Sequence, residues 1–358
     1  MIRFGIVGSG YRAMFYVRVA KALPEIFDLC MVLCRSEEKA KEISKTYGVV
    51  TGTKEQELIG MKPDFIVSAV DKAGMHDNVI KWAGFGIPVL SETPVSLDKD
   101  KLRELWKMCD ISGMLNDRQK LRIQVAEQYR MYPVYESIIK IIDSGIIGEP
   151  VSATISSMHD YHAVSMIREL LKTDMEDVGI TGRSFMMPVT ETKTRYETLR
   201  TGNVVEKEEK HLIMSYKNGK TVFYDFMSEQ YRSPIRNKFL NVRGTRGEIL
   251  GDTVYYLGSD NVERKDKISV IKDHKTDEVE RITFKGEIIY TPAFGICGLS
   301  EDETAVARVL YGMKKYVDTG EEFYPLKYAL EDAYVAALMQ EACDNPWTTV
   351  NSGDREWK

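Results

Sequence analysis

The chain has 358 residues, 43% of them hydrophobic and 29% charged, with a formal net charge of −5 at pH 7. This length exceeds one ordinary hydrophobic core and predicts two domains of globular composition. The negative balance, with no basic run carrying interleaved aromatics, argues against a nucleic-acid partner. No apolar stretch approaches the roughly 18 residues of a membrane span, so a membrane partner is not expected. A signal peptide is not expected either, because the only apolar N-terminal segment is used by the first predicted strand.

The cysteines are odd in number, and their spacing fits neither a disulfide framework nor a metal site. They stand at Cys30, Cys34, Cys109, Cys297 and Cys343. Free thiols are typical of a reducing compartment, so the sequence predicts a cytoplasmic protein.

The first stretch of the chain combines a strand, a glycine turn and a helix. A short apolar run over 2–7 precedes the turn, and a helical pattern with Phe15 and Val19 follows it. This order places backbone N–H groups and the positive end of a helix where a pyrophosphate could bind. The cofactor contacts expected here are Gly8, Ser9, Gly10, Tyr11, Arg12 and Ala13. A purely structural turn is the alternative.

The second predicted strand, 27–34, indicates which dinucleotide binds. Proteins that prefer NAD usually carry an acidic residue at the end of this strand, to hold the ribose 2′-hydroxyl. Here Cys34, Arg35 and Ser36 stand instead. An arginine can pair with a 2′-phosphate, so the cofactor is predicted as NAD(P) with a slight preference for NADP. Arg35 could also be simply solvated or stacked.

Strands and helices then alternate to about residue 122. Helices are predicted over 37–47, 55–60 and 75–85, and strands over 49–50, 64–70 and 87–91. This alternation predicts a doubly wound parallel sheet, a Rossmann domain over 1–122. The last strand ends in Ser91-Glu92-Thr93-Pro94, at the carboxyl edge where such folds bind ligands.

These motifs together resemble the Gfo/Idh/MocA family of NAD(P)-dependent sugar and polyol oxidoreductases. The turn at 8–13 matches, His76 matches a histidine after the fourth strand, and Glu92 and Pro94 match a Glu-Lys-Pro triplet. Further matches are the segments 127–133, 145–150 and 324–342, and His162 at the start of a helix. The resemblance implies cofactor contacts by His76, Glu92 and Thr93, and substrate contacts by Tyr129, Arg130, Tyr161 and His162.

The chain departs from the family where the family handles the substrate proton. Thr93 replaces the lysine of the triplet, and Met158 replaces an aspartate four residues before His162. The segment His159-Asp160-Tyr161-His162, which directly follows the replaced position Met158, consists of titratable residues. His162 is therefore predicted as the general base, with Asp160, His159, Tyr161 or Thr93 assisting.

Alternatives remain for each of these neighbours. Asp160 could be a helix cap, and His159 and Tyr161 could simply pack. A metal site is not predicted, because no third ligand follows at suitable spacing.

The second domain, 123–326, is predicted as an α+β unit with a large, open and mostly antiparallel sheet. Alternating runs support it, and Asn218-Gly219 is a typical hairpin turn. One uncovered sheet face predicts a homodimer or homotetramer formed through this sheet, as the family resemblance also implies. A C-terminal helix and tail, 327–358, are expected to pack back on the body.

Three segments of the second domain carry separate expectations, two of them with alternatives. The stretch 173–188 is read as a connector or a mobile edge of the pocket. Arg232 and Arg236 are solvated or reach an anionic sugar, and 260–277 forms an exposed hairpin.

The predicted function is an NAD(P)-dependent oxidoreductase that moves a hydride between nicotinamide and a hydroxyl-bearing carbon of a carbohydrate or cyclic polyol. One alternative is glycoside cleavage by transient oxidation and elimination, with His159 and His162 as bases. Another is a non-catalytic, cofactor-binding sensor.

Overall fold

A computed structural model describes residues 1–114 and 121–358. The strands are β1 (Ile2–Val7), β2 (Phe27–Leu33), β3 (Thr51–Gly52), β4 (Phe65–Ser68), β5 (Val89–Ser91), β6 (Ile123–Val125), β7 (Pro150–Ser156), β8 (Val178–Thr190), β9 (Val204–Tyr216), β10 (Thr221–Met227), β11 (Phe239–Gly244), β12 (Gly247–Leu250), β13 (Thr253–Leu257), β14 (Glu263–Lys272), β15 (Val279–Phe284), β16 (Glu287–Tyr290) and β17 (Val350–Asn351). The α-helices are α1 (Ala13–Ala22), α2 (Glu37–Tyr47), α3 (Glu55–Gly60), α4 (Met75–Gly84), α5 (Lys99–Met114), α6 (Pro133–Asp143), α7 (Asp160–Leu171), α8 (Glu301–Thr319) and α9 (Leu326–Asp344).

The first sheet is parallel and has the strand order β3-β2-β1-β4-β5-β6. This order reverses between β1 and β4, where doubly wound folds bind ligands. The predicted Rossmann sheet is therefore confirmed. Since β6 pairs with β5, the sheet continues just past the predicted boundary at residue 122. Helix α8 also packs on α1, so part of the predicted second domain covers the first sheet.

The second sheet has eleven strands, in the order β16-β15-β14-β13-β12-β11-β7-β10-β9-β8-β17. The pair β7 and β10 is parallel, and the other pairings of the described strands are antiparallel. The predicted large, mostly antiparallel sheet is confirmed. Helices α7 and α9 pack on one face, over buried side chains such as Ile155, Met214 and Val222.

The interpretation of 173–188 as a connector or mobile edge is wrong. Most of that segment belongs to β8, which pairs with β9 along its whole length, from Val178↔Tyr216 to Thr190↔Val204. Residues 206–210 of β9 are all charged and are exposed or half-buried, so they lack the alternating apolar pattern that predicts a strand. The connection 191–203, which we call the arm tip, projects from the end of this pair.

The charged segment 260–277 also differs from its predicted form. Its strand β14 lies inside the sheet, hydrogen-bonded to β13 on one side and β15 on the other. Ile268 is the one buried residue of β14, and its other residues, on both faces, are exposed or half-buried. The charged pattern therefore reflects two exposed faces rather than a lone hairpin.

Candidate active site

A cleft of about 1540 Å³ lies between the carboxyl edge of the first sheet and the start of α7. Typical sites for small ligands have about 300–1,000 Å³, so this cleft has room for a dinucleotide and a second ligand. Its wall is formed by residues 8–12, the ends of β2, β4 and β5, the start of α7 and the arm tip. Basic side chains outnumber acidic ones along this lining, although the whole chain is acidic. The cleft therefore favours anionic ligands.

The glycine turn has the form that a pyrophosphate site requires. Gly8 has a φ of +116°, and a Cβ there would lie 2.4 Å from the carbonyl oxygen of Ala69. A Cβ at Gly10 would meet nothing within 4 Å, so the space above that backbone is open. Ser9, Tyr11 and Arg12 line the cleft with the glycines, whereas Ala13 is buried beneath them. These residues fit a dinucleotide with its phosphates at the start of α1.

Arg12, which is half-buried, and the buried Glu92 form an ion pair that fixes the turn to the end of β5. Arg12 Nε donates to Glu92 Oε1 at 2.7 Å, and Tyr16 Oη donates to the same oxygen at 2.6 Å. Arg12 Nη1 also donates to Asp302 at 2.8 Å. The predicted residues Arg12 and Glu92 are thus brought together. Their charges are compensated within the protein, so they shape the wall rather than attract a ligand.

The end of β2 presents the predicted 2′-phosphate residues to the cleft. Cys34, Arg35 and Ser36 all line it, as does Lys39. The guanidinium of Arg35 is 89% exposed and contacts Asp71 at 3.1 Å. Ser36 caps α2, because its Oγ accepts from the backbone N–H of Lys39 at 3.3 Å. Two cations and a hydroxyl therefore flank the expected ribose position.

Besides Ala13 and Asp160, the predicted site residues His76 and Arg130 lie outside the cleft lining. His76 is buried in α4 with its Nδ1 2.9 Å from Asp77 Oδ1, while its neighbours Met75 and Asn78 reach the cleft. Arg130 pairs with Glu169 of α7 at 3.0 Å and does not line the cleft. The structure therefore does not bring these two predicted residues to the ligand.

His162 forms a buried pair with Glu127, a residue that the sequence did not single out. His162 Nδ1 lies 2.6 Å from Glu127 Oε2, and the two side chains are 6% and 2% exposed. Burial raises the pKa of Glu127 to about 8, and burial also holds the pKa of His162 well below its usual value. The pair therefore holds one exchangeable proton near neutral pH. His162 lines the cleft, and Nε2 is its ring nitrogen not engaged by Glu127.

His159 is fixed by a second tyrosine-rich network. Tyr231 Oη lies 2.5 Å from His159 Nδ1 and accepts from the His159 backbone N–H and from Tyr129 Oη, at 3.0 and 3.1 Å. Because this oxygen already accepts twice, its hydrogen is donated to Nδ1. Burial lowers the pKa of His159 to about 3, so the ring is neutral and carries its proton on Nε2. His159 is thus arranged as a hydrogen-bond donor rather than as a base.

Tyr161 and Thr93 meet across the cleft. The Tyr161 hydroxyl donates to the Thr93 backbone oxygen at 3.5 Å, and both residues line the cleft with Tyr129 and His162. The peptide bond between Thr93 and Pro94 is cis. The predicted substrate residues other than Arg130 therefore surround one space.

Asp160 supports the site from behind rather than lining it. Its two carboxylate oxygens lie 3.1 Å from Lys210 Nζ, and its backbone N–H donates to Tyr224 Oη at 3.0 Å. Its φ of +31° is unusual for a residue other than glycine. The helix-cap interpretation is wrong, because the capping position is His159 and no side chain caps α7.

Lys72, after β4, is a further cleft residue that the sequence did not reveal. Its Nζ lies 5.4 Å from the ring centre of Tyr161. Burial lowers the pKa of this amine, and the positive charges of Lys210 and Arg195 add to the effect. No local pattern could identify Lys72 or Glu127, because only the folded chain brings them to His162 and Tyr161.

No three His, Cys, Asp or Glu side chains in the described ranges form a cluster that could hold a metal ion. Within the same ranges, no helix has the length and apolar content needed to cross a bilayer.

Comparisons with known proteins agree with this geometry. Residues 2–119 match the model of the oxidoreductase family with an NAD-binding Rossmann fold, GFO_IDH_MocA. A Rhizobium meliloti protein named uncharacterized oxidoreductase ORF334 is 28% identical over 152 residues, which are 42% of this chain and 43% of that protein. The alignment thus spans less than half of this curated relative.

Solved structures resemble the chain over nearly all of its length. An oxidoreductase from Agrobacterium radiobacter, in complex with NAD⁺, L-tartaric acid and magnesium, has a TM-score of 0.69 and 14% identity, covering 98% of both chains. A levoglucosan dehydrogenase in complex with NADH and levoglucosan has a TM-score of 0.65 and 15% identity, covering 98% of this chain and 99% of its own. At these identities the likeness shows a shared fold.

The parallel sheet and the glycine turn are those of a dinucleotide-binding Rossmann domain. The family match, which lies in the N-terminal domain, confirms the resemblance to the Gfo/Idh/MocA oxidoreductases that the motifs predicted.

Proposed function

We propose that the chain is an NAD(P)-dependent dehydrogenase or reductase that acts on a CH–OH carbon of a carbohydrate or cyclic polyol. The observation that carries this proposal is the buried Glu127–His162 pair, which shares one cleft with the glycine turn. A proton carrier beside a dinucleotide site is what alcohol oxidation requires. The levoglucosan dehydrogenase that shares the fold supports the sugar or polyol class.

The residues of the turn would hold the cofactor by its phosphates, and those after β2 by its adenosine end. The bound dinucleotide supplies hydride acceptance or donation at its nicotinamide. The protein must then remove or return the proton of the substrate hydroxyl, and hold the oxygen on which charge develops.

The proton moves through the Glu127–His162 pair. We call the pair unloaded when Glu127 is a carboxylate and loaded when Glu127 is protonated. In the unloaded pair, His162 Nδ1–H donates to the Glu127 carboxylate, and Nε2 is free to accept a proton. As Nε2 takes the substrate hydroxyl proton, the Nδ1 proton passes to Glu127, and the pair becomes loaded. In carbonyl reduction the same transfers run in reverse. Glu127 thus lets His162 exchange protons without leaving an isolated charge in a buried site.

The developing oxyanion is held by donors other than the missing lysine. His159 presents an Nε2–H, and Tyr161 presents a hydroxyl in the same cleft. Lys72 brings a positive charge beside Tyr161, which the neutral Thr93 cannot supply. We assign Thr93 a hydroxyl contact to the substrate and no proton-transfer role of its own.

We also propose a preference for NADP over NAD. Arg35 and Lys39 flank the position of the adenosine ribose, and Ser36 adds a hydroxyl donor. No carboxylate stands at the end of β2 to hold an unmodified ribose. These residues suit a 2′-phosphate.

Glycoside cleavage by transient oxidation is supported less well than simple hydride transfer. That route needs a second base, and His159 has its Nδ1 occupied by Tyr231. Its Nε2–H suits hydrogen-bond donation. A single proton carrier is sufficient for a dehydrogenase or reductase.

We propose a homo-oligomer formed through the open face of the second sheet. Ile213 and Phe223 pair across β9 and β10 there and are 48% and 47% exposed. Such an apolar sheet face suits a second copy of the chain. Light scattering on Ile213→Glu should then give a smaller species than on wild type. We further propose that the protein works in the cytoplasm, because the odd number and the spacing of its cysteines do not fit the disulfide framework of a secreted protein.

A substrate screen tests the proposed function. The purified protein is incubated with NADP⁺ or NAD⁺ and a set of sugars and cyclic polyols, and nicotinamide absorbance is followed together with product analysis. Stoichiometric cofactor reduction supports the dehydrogenase. Product release without net reduction would favour the elimination route, and dinucleotide binding without any turnover would favour a sensor.

A further inference from the structure

The arm tip brings a basic and an aromatic side chain from the second domain to the glycine turn of the first. Arg195 Cζ lies 5.1 Å from the ring centre of Tyr11, and Tyr196 meets the same ring edge-on at 6.3 Å. Arg195 also belongs to the lining of the cleft. Two segments far apart in sequence therefore meet above the expected cofactor phosphates.

The backbone of the arm tip is built to present these two residues. Thr194 N–H donates to Glu197 O at 2.8 Å, and Thr194 Oγ1 accepts from the N–H groups of Tyr196 and Glu197, both at 3.1 Å. Arg195 and Tyr196 occupy the two central positions of the resulting turn. Their placement is thus fixed by local hydrogen bonds.

The base of the arm tip is also anchored. Glu191 N–H donates to Asn203 O at 2.9 Å, and Thr192 Oγ1 donates to Ser233 Oγ at 3.0 Å. The turn is therefore held against the body of the second domain.

The charge of Arg195 is not compensated by the protein. Arg12 and Arg35 have carboxylate partners, at 2.7 and 3.1 Å. Among residues 1–114 and 121–358, no carboxylate lies within ion-pairing distance of Arg195. Tyr196, beside it, is 83% exposed, which is unusual for a large aromatic side chain. A guanidinium without a carboxylate at the cleft, next to an uncovered ring on the same turn, points to a ligand that is anionic and offers a surface for stacking.

We propose that Arg195 is a phosphate-binding residue of the cofactor site, contributed across the cleft by the second domain. This inference rests on the proposed dinucleotide site and adds a contact outside the Rossmann domain. Tyr11 supports the guanidinium through its ring face, and Arg195 donates to phosphate oxygens of the bound dinucleotide. Tyr196 stacks on the bound nucleotide from the same turn. Cofactor binding then joins the two domains directly.

The proposal is tested by titrating nucleotide-free wild type, Arg195→Gln, Arg195→Lys and Arg200→Gln with NADPH, NADH and ADP-ribose, by fluorescence. Arg200 is the matched control, because it is exposed on the same arm tip and lies outside the cleft lining. Loss of one charge-assisted hydrogen bond should weaken all three ligands by about ten- to hundredfold in Arg195→Gln. Arg195→Lys should regain part of the affinity, and Arg200→Gln should bind as wild type.

The outcomes separate this inference from the proposed function. Wild-type affinity in Arg195→Gln, or equal losses in Arg195→Gln and Arg200→Gln, would overturn the role of Arg195 while leaving the dinucleotide site intact. If folded wild type bound none of the three ligands, the proposed function itself would fall. Trypsin provides a second readout: bound NADPH should slow cleavage after Arg195, and unchanged cleavage would count against the contact.

Discussion

Replacing Glu127 with glutamine should change how the stability of the protein depends on pH. Burial raises the pKa of Glu127 to about 8 in the folded protein, against 4.5 for an ordinary glutamate. Between these two pH values, the unfolded chain releases the proton while the folded chain keeps it. A raised pKa of this kind stabilises the fold fully below pH 4.5, and the contribution is lost as the pH rises toward 8.

The size of the effect follows from the linkage relation. Each pH unit in the window changes the free energy of unfolding by about 1.4 kcal/mol. Between pH 5 and pH 8, wild type should therefore lose about 4 kcal/mol of stability relative to Glu127→Gln. Titrating groups remote from the Glu127–His162 pair are common to both proteins and cancel in the difference.

Urea denaturation at pH 5, 6, 7 and 8, followed by circular dichroism, measures this difference. Glu25→Gln, which removes an exposed carboxylate, controls for the change in net charge and should follow wild type. Parallel stability curves for wild type and Glu127→Gln would refute the reasoning. They would mean that Glu127 releases its proton in the folded protein at an ordinary pH and cannot form the loaded pair.

Catalysis, cofactor choice and folding give further tests. The rate of substrate oxidation should rise with pH toward about 8, and the rate of carbonyl reduction should fall above it, because the two directions need the unloaded and the loaded Glu127–His162 pair. His162→Gln should lower turnover by about 10²- to 10⁴-fold at unchanged dinucleotide affinity, measured by steady-state kinetics and titration. Arg35→Gln should weaken NADPH by about tenfold and leave NADH unchanged in the same titration, since only NADPH carries the 2′-phosphate. Gly8→Ala should lower the melting temperature sharply, because its Cβ would lie 2.4 Å from Ala69 O at a φ of +116°.

Each of these variants has a matched control. His211→Gln removes an imidazole that is 45% exposed and should keep full turnover. Lys41→Gln removes an exposed charge from α2 and should not change the ratio of NADPH to NADH affinity. Gly84→Ala adds a Cβ that meets nothing within 4 Å and should leave the melting temperature nearly unchanged. Equal losses of turnover in His162→Gln and His211→Gln would contradict the role assigned to His162. Equal losses of affinity for NADPH and NADH in Arg35→Gln would contradict the role assigned to Arg35.

The first domain could be predicted from the sequence because its determinants are local. Helix α2 has the predicted bounds, since Ser36 caps its start and Gly48, with a φ of 67°, ends it. The strands are short buried runs separated by such helices, and the turn at Gly8 needs a glycine. The short third strand is the exception, because it lies at Thr51–Gly52 and not at the predicted 49–50, and it is only half-buried.

Other parts depended on contacts that no local pattern records. The outer half of β9 is charged, and only its pairing with β8 makes it a strand. The Glu127–His162 pair joins residues 35 apart, and Tyr231 reaches His159 from 72 residues away. The sequence identified His162 by its helix start, but its proton partner and the tautomer of His159 follow only from the folded chain.

Calorimetric titration of nucleotide-free protein with NADPH and NADH tests the central claim most directly. A dinucleotide site in this cleft predicts binding with one ligand per chain, tighter for NADPH than for NADH. Absence of binding heat for either ligand at several temperatures, from protein shown to be folded, would contradict the assignment and leave the glycine turn as an element of architecture alone.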